Sequence, residues 1–328
     1  MVGMHPAVSV VMPVRNEERH LQASVEGVLD QHYPGELEII LAIGPSTDAT
    51  MDVAARLADS HPIRIVDNPT GLTPHAMNLG IRAASHDIIV RVDAHGELGP
   101  RYIETAVELL ESTGAANVGG RMDARGQTPF EEAVAAAYNS RLGLGGGGFH
   151  LETTPAGPAE TVFLGVFRRD ALEAVGYYDE GLHRAQDWEL NHRLRQAGHL
   201  VYFSPDLVVT YRPRASVRAL ATQFFRTGQW RREVIARHPE TASLRYLAPP
   251  ATVIGATAGT AAGLAGLVGP KWLRLGFLAP LGYLALIGAG SLTLPASPAA
   301  RARLPLVLAV MHLSWGLGFL VGVRHTDA

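Results

Sequence analysis

After Glu240 the chain carries no acidic residue until Asp327, and what lies between is mostly Ala, Gly, Leu and Val. A water-facing surface of that extent would need charge of both signs, so the chain reads as divided between two solvents. Residues 250–269, 272–292 and 304–323 form apolar runs, broken by Pro270, Lys271, Arg301 and Arg303. Each run has about the 20 residues needed to span hydrocarbon. The first is rich in Ala, Gly and Thr, which suits close helix contact. One wide hydrophobic domain is the competing reading, but the length of the runs and their basic breaks favour spans. The connecting loops carry similar numbers of Lys and Arg, so charge does not orient the spans.

The 328 residues have room for one large α/β domain plus an appendage, or for two domains. A formal net charge of -3 gives the whole chain no strongly basic surface, so nucleic acid is not an expected partner. The absence of cysteine excludes disulfides and thiolate metal sites and fits a reducing compartment. Residues 1–5 are short and residues 8–14 are a strand-length run without a cleavage site, so no signal peptide is expected. The first domain is expected to stay in the cytoplasm.

Residues 8–14 read as a strand, and Arg15, Asn16, Glu17 and Glu18 open a helix reaching about residue 31. Residues 37–43 form a second strand. Ser46 or Thr47 then caps a helix carrying Val53, Ala54 and Leu57 on one side, with Asp48 in its first turn. A third strand covers 63–66, and Thr73 with Pro74 opens a helix over 76–84. Ile88, Ile89, Val90 and Val92 make a β-branched run suited to a strand covered on both faces, stopped by Gly96, Gly99 and Pro100. This alternation implies a parallel sheet with helices on both faces and a ligand at the carboxyl ends of the strands. Residues two apart on an extended chain share a face, so Asp93 and His95 can converge on one ion. The plainer reading is a solvated strand end.

Further on, the pattern predicts a helix from Pro100 to about 112, a strand at 117–124 and a helix at 131–142. Five glycines around Leu144, from Gly143 to Gly148, read as a mobile loop near the acceptor. They lack the lysine and the strand-to-helix setting of a phosphate loop. A strand at 161–168, a short helix at 169–175, a turn at 177–180 and a helix at 186–196 follow. Asp187 sits in the first turn of that last helix, where a capping carboxylate is the simple reading. Short strands cover 200–203 and 207–211. Over 216–238 Val217, Leu220, Ala221, Phe224, Phe225, Val234 and Ile235 recur at helical spacing, while Arg218, Arg226, Arg231, Arg232 and Arg237 lie largely elsewhere. That suits a basic helix on an anionic membrane surface or one packed on the sheet.

Six stretches stand in register: Pro13, Val14, Arg15, Asn16 and Glu17; Ser46, Thr47 and Asp48; Asn78, Leu79 and Gly80; Asp93, Ala94 and His95; Gly176, Tyr177, Tyr178 and Asp179; and Asp187, Trp188, Glu189, Leu190 and Asn191. In order and spacing they resemble the inverting glycosyltransferases of family 2, which have the nucleotide-sugar-binding GT-A fold, over about residues 8–239. Within that family, Thr73 and Pro74 before Asn78, the run from Arg91 to His95, and Gln223, Phe224, Phe225 and Arg226 ahead of Gly228, Gln229 and Trp230 resemble enzymes of the succinoglycan-synthesis type. Those build cell-surface polysaccharide on a membrane lipid carrier.

The resemblance implies an α/β architecture: a GT-A catalytic domain over 1–213, Rossmann-like, with a mostly parallel sheet and helices on both faces. An amphipathic interfacial region over 214–248 and a C-terminal all-α membrane domain over 249–328, with about three transmembrane helices, would follow. It implies a nucleotide-diphosphate sugar, a UDP-sugar first, against Pro13, Val14, Arg15, Asn16, Glu17, Asp48, Asn78 and Asp93. A divalent cation, Mn²⁺ or Mg²⁺, would sit on Asp93 and His95, the imidazole favouring Mn²⁺. Asp187 matches the base, and Trp188, Gln223, Arg226 and Trp230 are acceptor-side candidates. For Asp48 and Asn78 the plainer readings are caps, turns and structural contacts. The acceptor would be a lipid-linked saccharide, and the place the inner (plasma) membrane with the catalytic domain on its cytoplasmic side.

Three positions depart from the family pattern. Gly44 stands where many relatives carry an aspartate that contacts the base, and Gln186 replaces the usual glutamate before Asp187. The run from Gln223 to Thr227 lacks the tryptophan of processive synthases, which favours one sugar per acceptor. A processive polysaccharide synthase and a catalytically silent membrane scaffold that binds nucleotide sugar remain the alternatives. A nicotinamide-dependent dehydrogenase is disfavoured because no Gly-x-Gly-x-x-Gly follows the first strand. His75, His150, His183 and His192 read as structural or solvated.

Overall fold

The computed structural model describes residues 5–323, so residues 1–4, part of the stretch read as too short for a leader, lie outside the described residues. The described chain forms two compact units, residues 5–123 with 152–211 and residues 124–151 with 212–323.

The N-terminal unit is built on one sheet. Its strands are β1 (Val8–Val14), β2 (Leu37–Ile43), β3 (Ile63–Asp67), β4 (Ile88–Arg91), β5 (Glu97–Leu98), β6 (Asn117–Ala124), β7 (Gly157–Pro158), β8 (Phe163–Arg168) and β9 (Val201–Tyr211). They lie in the order β3-β2-β1-β4-β8-β6-β9-β5, with β7 paired on β9. The first four are parallel, as strand–helix alternation requires. Beyond β4 the direction reverses: β8 runs antiparallel to β4 and β6, and β5 and β7 run antiparallel to β9. The sheet is mixed because regular alternation of strand and crossover helix lapses in the second half of the unit.

Both faces of the parallel half are covered. Val10 and Met12 of β1 pack in the core with Leu21, Val25 and Tyr102. Between them Val11 points the other way, toward helix Thr73–Ala83, where a Cβ on Gly80 would run into its side chain. The bare backbone at residue 80 lets helix and strand approach.

Two local expectations change. β4 ends at Arg91, and the chain then turns, with the Gly96 N–H donating to the Asp93 carbonyl at 2.7 Å. Asp93 and His95 therefore flank a turn and do not share the face of an extended strand. Residues 201–211 form one strand where two were expected, with Pro205 inside it. The proline is tolerated because β7 pairs at Tyr202 and Phe203 and β5 pairs at Val209 and Thr210, leaving residue 205 between the two ladders.

The C-terminal unit begins at Arg212 but also takes in residues 124–151, which the sequence had assigned to the catalytic domain. Helix Pro129–Tyr138 opens with a capping box between Thr128 and Glu131 and buries Ala133 and Ala137. Its Glu132 accepts a hydrogen bond from the Ser297 hydroxyl at 2.6 Å. The glycine run, expected as a mobile loop, is folded here into a short helix, Arg141–Leu144, and a 3-10 turn, Gly148–His150. His312 Nε2 donates to the Leu142 carbonyl at 2.8 Å and pins it.

The basic helix spans Val217–Arg237 and packs on helix Leu304–Val321, a partner neither sequence reading named. Cβ atoms on Gly228 and Gly318 would strike the facing backbone at Trp315 and Phe225, so small residues set this approach. Among the described residues, three helices are long and apolar enough to cross a membrane: Leu244–Val268, Lys271–Thr293 and Leu304–Val321. Leu264, Leu267, Leu281, Leu284 and Leu292 are exposed along the first two, as hydrocarbon contact would favour.

Candidate active site

The parallel strands end along one edge of the N-terminal unit, and the polar segments that follow β1 and β2 are knitted together there. The Asn16 N–H donates to Ser46 Oγ at 3.1 Å, and Asn16 Oδ1 accepts from the Thr47 N–H at 2.8 Å. Asn16 has a positive φ of 54, a conformation asparagine tolerates better than most residues. The Glu17 N–H donates to the Thr50 hydroxyl at 2.7 Å, and Glu18 and Asp48 exchange bonds with each other's segment. Asp48 accepts from the Thr50 hydroxyl at 2.5 Å, and that bond first among others holds its carboxyl below the usual range. Its two oxygens accept from Thr50 and Glu18 in a turn ahead of helix Thr50–Ser60. That helix has Ala49 at its N-cap without a side-chain cap, so neither the Ser46 or Thr47 cap nor the first-turn place expected for Asp48 is found.

Val14 is buried in the core at 2% exposure and offers this edge only its backbone, while Pro13 pairs with Ala42 in the ladder. Arg15 is exposed and donates to the Pro45 carbonyl at 3.3 Å. At Gly44 a Cβ would lie 2.7 Å from Gly71 Cα, so the aspartate common in relatives has no room here unless the backbone at 71 moves.

The centre of the site is Arg91, the last residue of β4. Its side chain is only 6% exposed, and it pairs with Asp93 at 3.1 Å and, closely, with Asp187. Burial works against the guanidinium charge, but Asp93 and Tyr178 together outweigh it and raise the pKa. Asp187 enters from the first turn of helix Gln186–Gln196, after Ala185 in a left-handed conformation, and its side chain is 40% exposed. Gln186 Nε2 lies 3.5 Å from the other Asp187 oxygen. The Tyr178 phenol, pushed up by burial against the pull of Arg91, stays neutral beside them. Asp93 and Asp187 thus converge on one buried cation, each also reaching solvent. Polarity alone had not singled out Arg91. The signal was an arginine closing an otherwise apolar four-residue strand.

His95 meets Glu17, Nδ1 to Oε1 at 2.8 Å. A carboxylate on Nδ1 holds the proton there and puts the imidazole lone pair on Nε2, the arrangement usual behind metal-binding histidines. Asp93, as an oxygen donor, and His95, oriented by Glu17, fit a divalent cation of the Mn²⁺ type.

Other sequence candidates fall elsewhere. Asn78 is 2% exposed; its amide donates to the Tyr178 carbonyl and Glu180, both at 2.9 Å, and accepts from the Tyr178 N–H. It holds the Gly176-to-Asp179 turn through these bonds. Trp188 is 8% exposed and stacked on His192. Gln223, Arg226 and Trp230 sit three and four apart on helix Val217–Arg237 of the C-terminal unit, and Arg226 is exposed. Arg214 donates to Gln223 Oε1 at 3.3 Å.

Fold and site together are those of a GT-A glycosyltransferase, and known proteins make the assignment definite. The family model "Glycosyl transferase family 2" matches residues 9–176. Succinoglycan biosynthesis protein ExoA of Rhizobium meliloti (strain 1021) is 32% identical over 316 residues, covering 94% of this chain and 93% of its own. A dolichyl N-acetyl-alpha-D-glucosaminyl phosphate 3-beta-D-2,3-diacetamido-2,3-dideoxy-beta-D-glucuronosyltransferase of Methanococcus voltae is 27% identical, covering 66% of this chain and 70% of its own. In fold, the chain is similar to the mannosyltransferase PcManGT from Pyrobaculum calidifontis, solved with GDP-Man and Mn²⁺, at a TM-score of 0.61 and 19% identity over 97% of this chain and 86% of that one. The chain belongs to glycosyl transferase family 2, with relatives in exopolysaccharide and lipid-linked glycan synthesis.

Proposed function

We propose that this glycosyltransferase is inverting and moves one sugar from a nucleotide-diphosphate sugar to a hydroxyl of a lipid-linked saccharide, in the assembly of a cell-surface polysaccharide. The observation that carries the reading is the convergence of Asp93 and Asp187 on Arg91. Asp187 takes the proton of the acceptor hydroxyl as that oxygen attacks the anomeric carbon on the face opposite the diphosphate. A carboxylate with a reference pKa of about 3.9 cannot remove the proton beforehand, so transfer is concerted with bond formation. Arg91 holds Asp187 through one oxygen, and the other, which Gln186 approaches at 3.5 Å, is the one that meets the hydroxyl. Direct displacement inverts the anomeric centre, and one base suffices.

Asp93 and His95 would hold the divalent cation, with Glu17 fixing the imidazole. When bound, the cation supplies Lewis-acid neutralisation of the leaving diphosphate. The solved complex of PcManGT with GDP-Man and Mn²⁺ supports a nucleotide-sugar donor and that metal. The names of the relatives from R. meliloti and M. voltae support a polysaccharide or lipid-linked product. The three apolar helices support a membrane anchor, with the catalytic unit on the cytoplasmic side where nucleotide sugars are made.

The test is to incubate membranes containing the protein with UDP- and GDP-sugars and a lipid-linked acceptor extract, with and without Mn²⁺. A single labelled sugar of inverted configuration on the lipid, formed only with the cation, is expected. Long polymer from one acceptor, or retained configuration, would overturn the reading.

A further inference from the structure

The C-terminal unit holds a cavity of about 400 Å³ that the active-site chemistry does not use. It is lined by the glycine run and by residues of helices Val217–Arg237, Leu244–Val268, Leu278–Thr293 and Leu304–Val321. Three guanidinium groups, of Arg141, Arg231 and Arg245, line it, and among the described residues no acidic side chain does. Arg231 is only 8% exposed. Its guanidinium lies 4.0 Å from the centre of the Tyr246 ring, and that of Arg245 lies 4.5 Å from the same centre. The ring offsets part of the repulsion between two like charges, and an anion in the cavity would offset more. The cavity also meets the N-terminal turn of the 25-residue helix Leu244–Val268, whose field favours negative charge.

A second observation points to a ligand. His150 lines the cavity, and its Nδ1 is buried without a hydrogen-bond partner. Apolar side chains line the cavity as well, among them Leu286, Met311 and Trp315, the last stacked on Tyr246 beside the guanidinium groups. An inorganic anion would leave these side chains uncovered, and a neutral lipid would make no use of the gathered positive charge. A volume near the lower end of small-molecule sites, roughly 300–1,000 Å³, admits a phosphate and the first carbons of one chain better than two acyl chains.

We propose that this cavity binds the phosphate end of a single-chain lipid, with Arg231 and Arg245 on the phosphate oxygens and the chain along Leu286, Met311 and Trp315. The inference deepens the lipid-linked part of the proposed function, and its test is read without any sugar donor. Purified full-length protein in detergent is titrated with farnesyl diphosphate, farnesol, inorganic diphosphate and a diacyl phosphatidic acid. Farnesyl diphosphate should bind at least about tenfold more tightly than each of the others. Replacing both arginines, Arg231→Gln with Arg245→Gln, should weaken it by at least about tenfold, the scale of a lost charge-assisted hydrogen bond. Arg245 lies at the start of its helix, so Arg245→Gln alone keeps the test open if the buried Arg231 is needed for folding.

Equal binding of farnesol, an unchanged affinity in Arg245→Gln, or full competition by inorganic diphosphate would overturn the proposal. Phosphatidic acid binding as tightly as farnesyl diphosphate would overturn it in favour of a bilayer lipid. Loss of sugar transfer with this binding intact would count against the proposed function and not against this site.

Discussion

Arg91 decides most at the scale of single residues. It is buried, it closes β4, and it holds the two carboxylates on which the proposed reaction depends. Arg91→Met should lower the rate of sugar transfer by about 10²–10³, the usual cost of removing one preorganised electrostatic group. Arg91→Lys should restore little of it, because a point charge cannot serve two carboxylates as a planar fork does. Thermal unfolding of Arg91→Met should change little beside that loss, since Asp93 and Asp187 both reach water. A variant that keeps its rate would show that the cation is merely structural. His150 gives a pH signature. Burial, with the Arg245 charge adding to it, pushes its imidazole down to about 3. Between about pH 6.5, the unfolded value, and about pH 3 the unfolded chain binds a proton that the native one refuses, so native stability falls as pH falls through that window. His150→Phe should flatten the acid limb of the thermal-unfolding profile there, and an unchanged limb would refute the assignment.

At the scale of elements, helix Val217–Arg237 and helix Leu304–Val321 touch through glycines. Gly228→Ala and Gly318→Ala should each cost about 1–3 kcal/mol, because a methyl group must push backbone apart. Gly282→Ala meets nothing within 4 Å and should be neutral or slightly stabilising, as helix propensity favours alanine. Melting in detergent compares the three, and equal shifts would contradict the packing. This helix was legible in the sequence from the spacing of Val217, Leu220, Phe224 and Val234, but its partner was not. Periodicity shows that a face is apolar, not what covers it. The same limit hid residues 124–151, whose alanine-rich helix packs with the C-terminal unit. The turn after β4 was missed because an apolar run says where a strand begins better than where it stops. Asp93 and His95 were singled out by the strand end, on a shared face that the turn removes, whereas Asp187 as a base came from the resemblance alone. Asn78 and Trp188 are buried, a placement that spacing along the chain does not disclose.

Over the whole molecule the division between solvents was the clearest feature to read, since a long apolar stretch without carboxylates is poorly suited to a surface in water. The three apolar helices answer to it. The full chain should therefore sediment with membranes and stay there through high salt and alkaline carbonate wash, conditions that strip proteins held by charge alone. Release by salt would show that the helices do not span. On the proposed function the acceptor lies in the same bilayer, and the chemistry then rests on Asp187 as the base. Membranes carrying wild-type protein or Asp187→Asn should be compared for transfer of labelled sugar to lipid and, in parallel, for binding of the nucleotide sugar. The expected result is a fall in transfer of about 10²–10⁴, the range for a lost general base, with donor binding unchanged. Transfer by Asp187→Asn at the wild-type rate would contradict it.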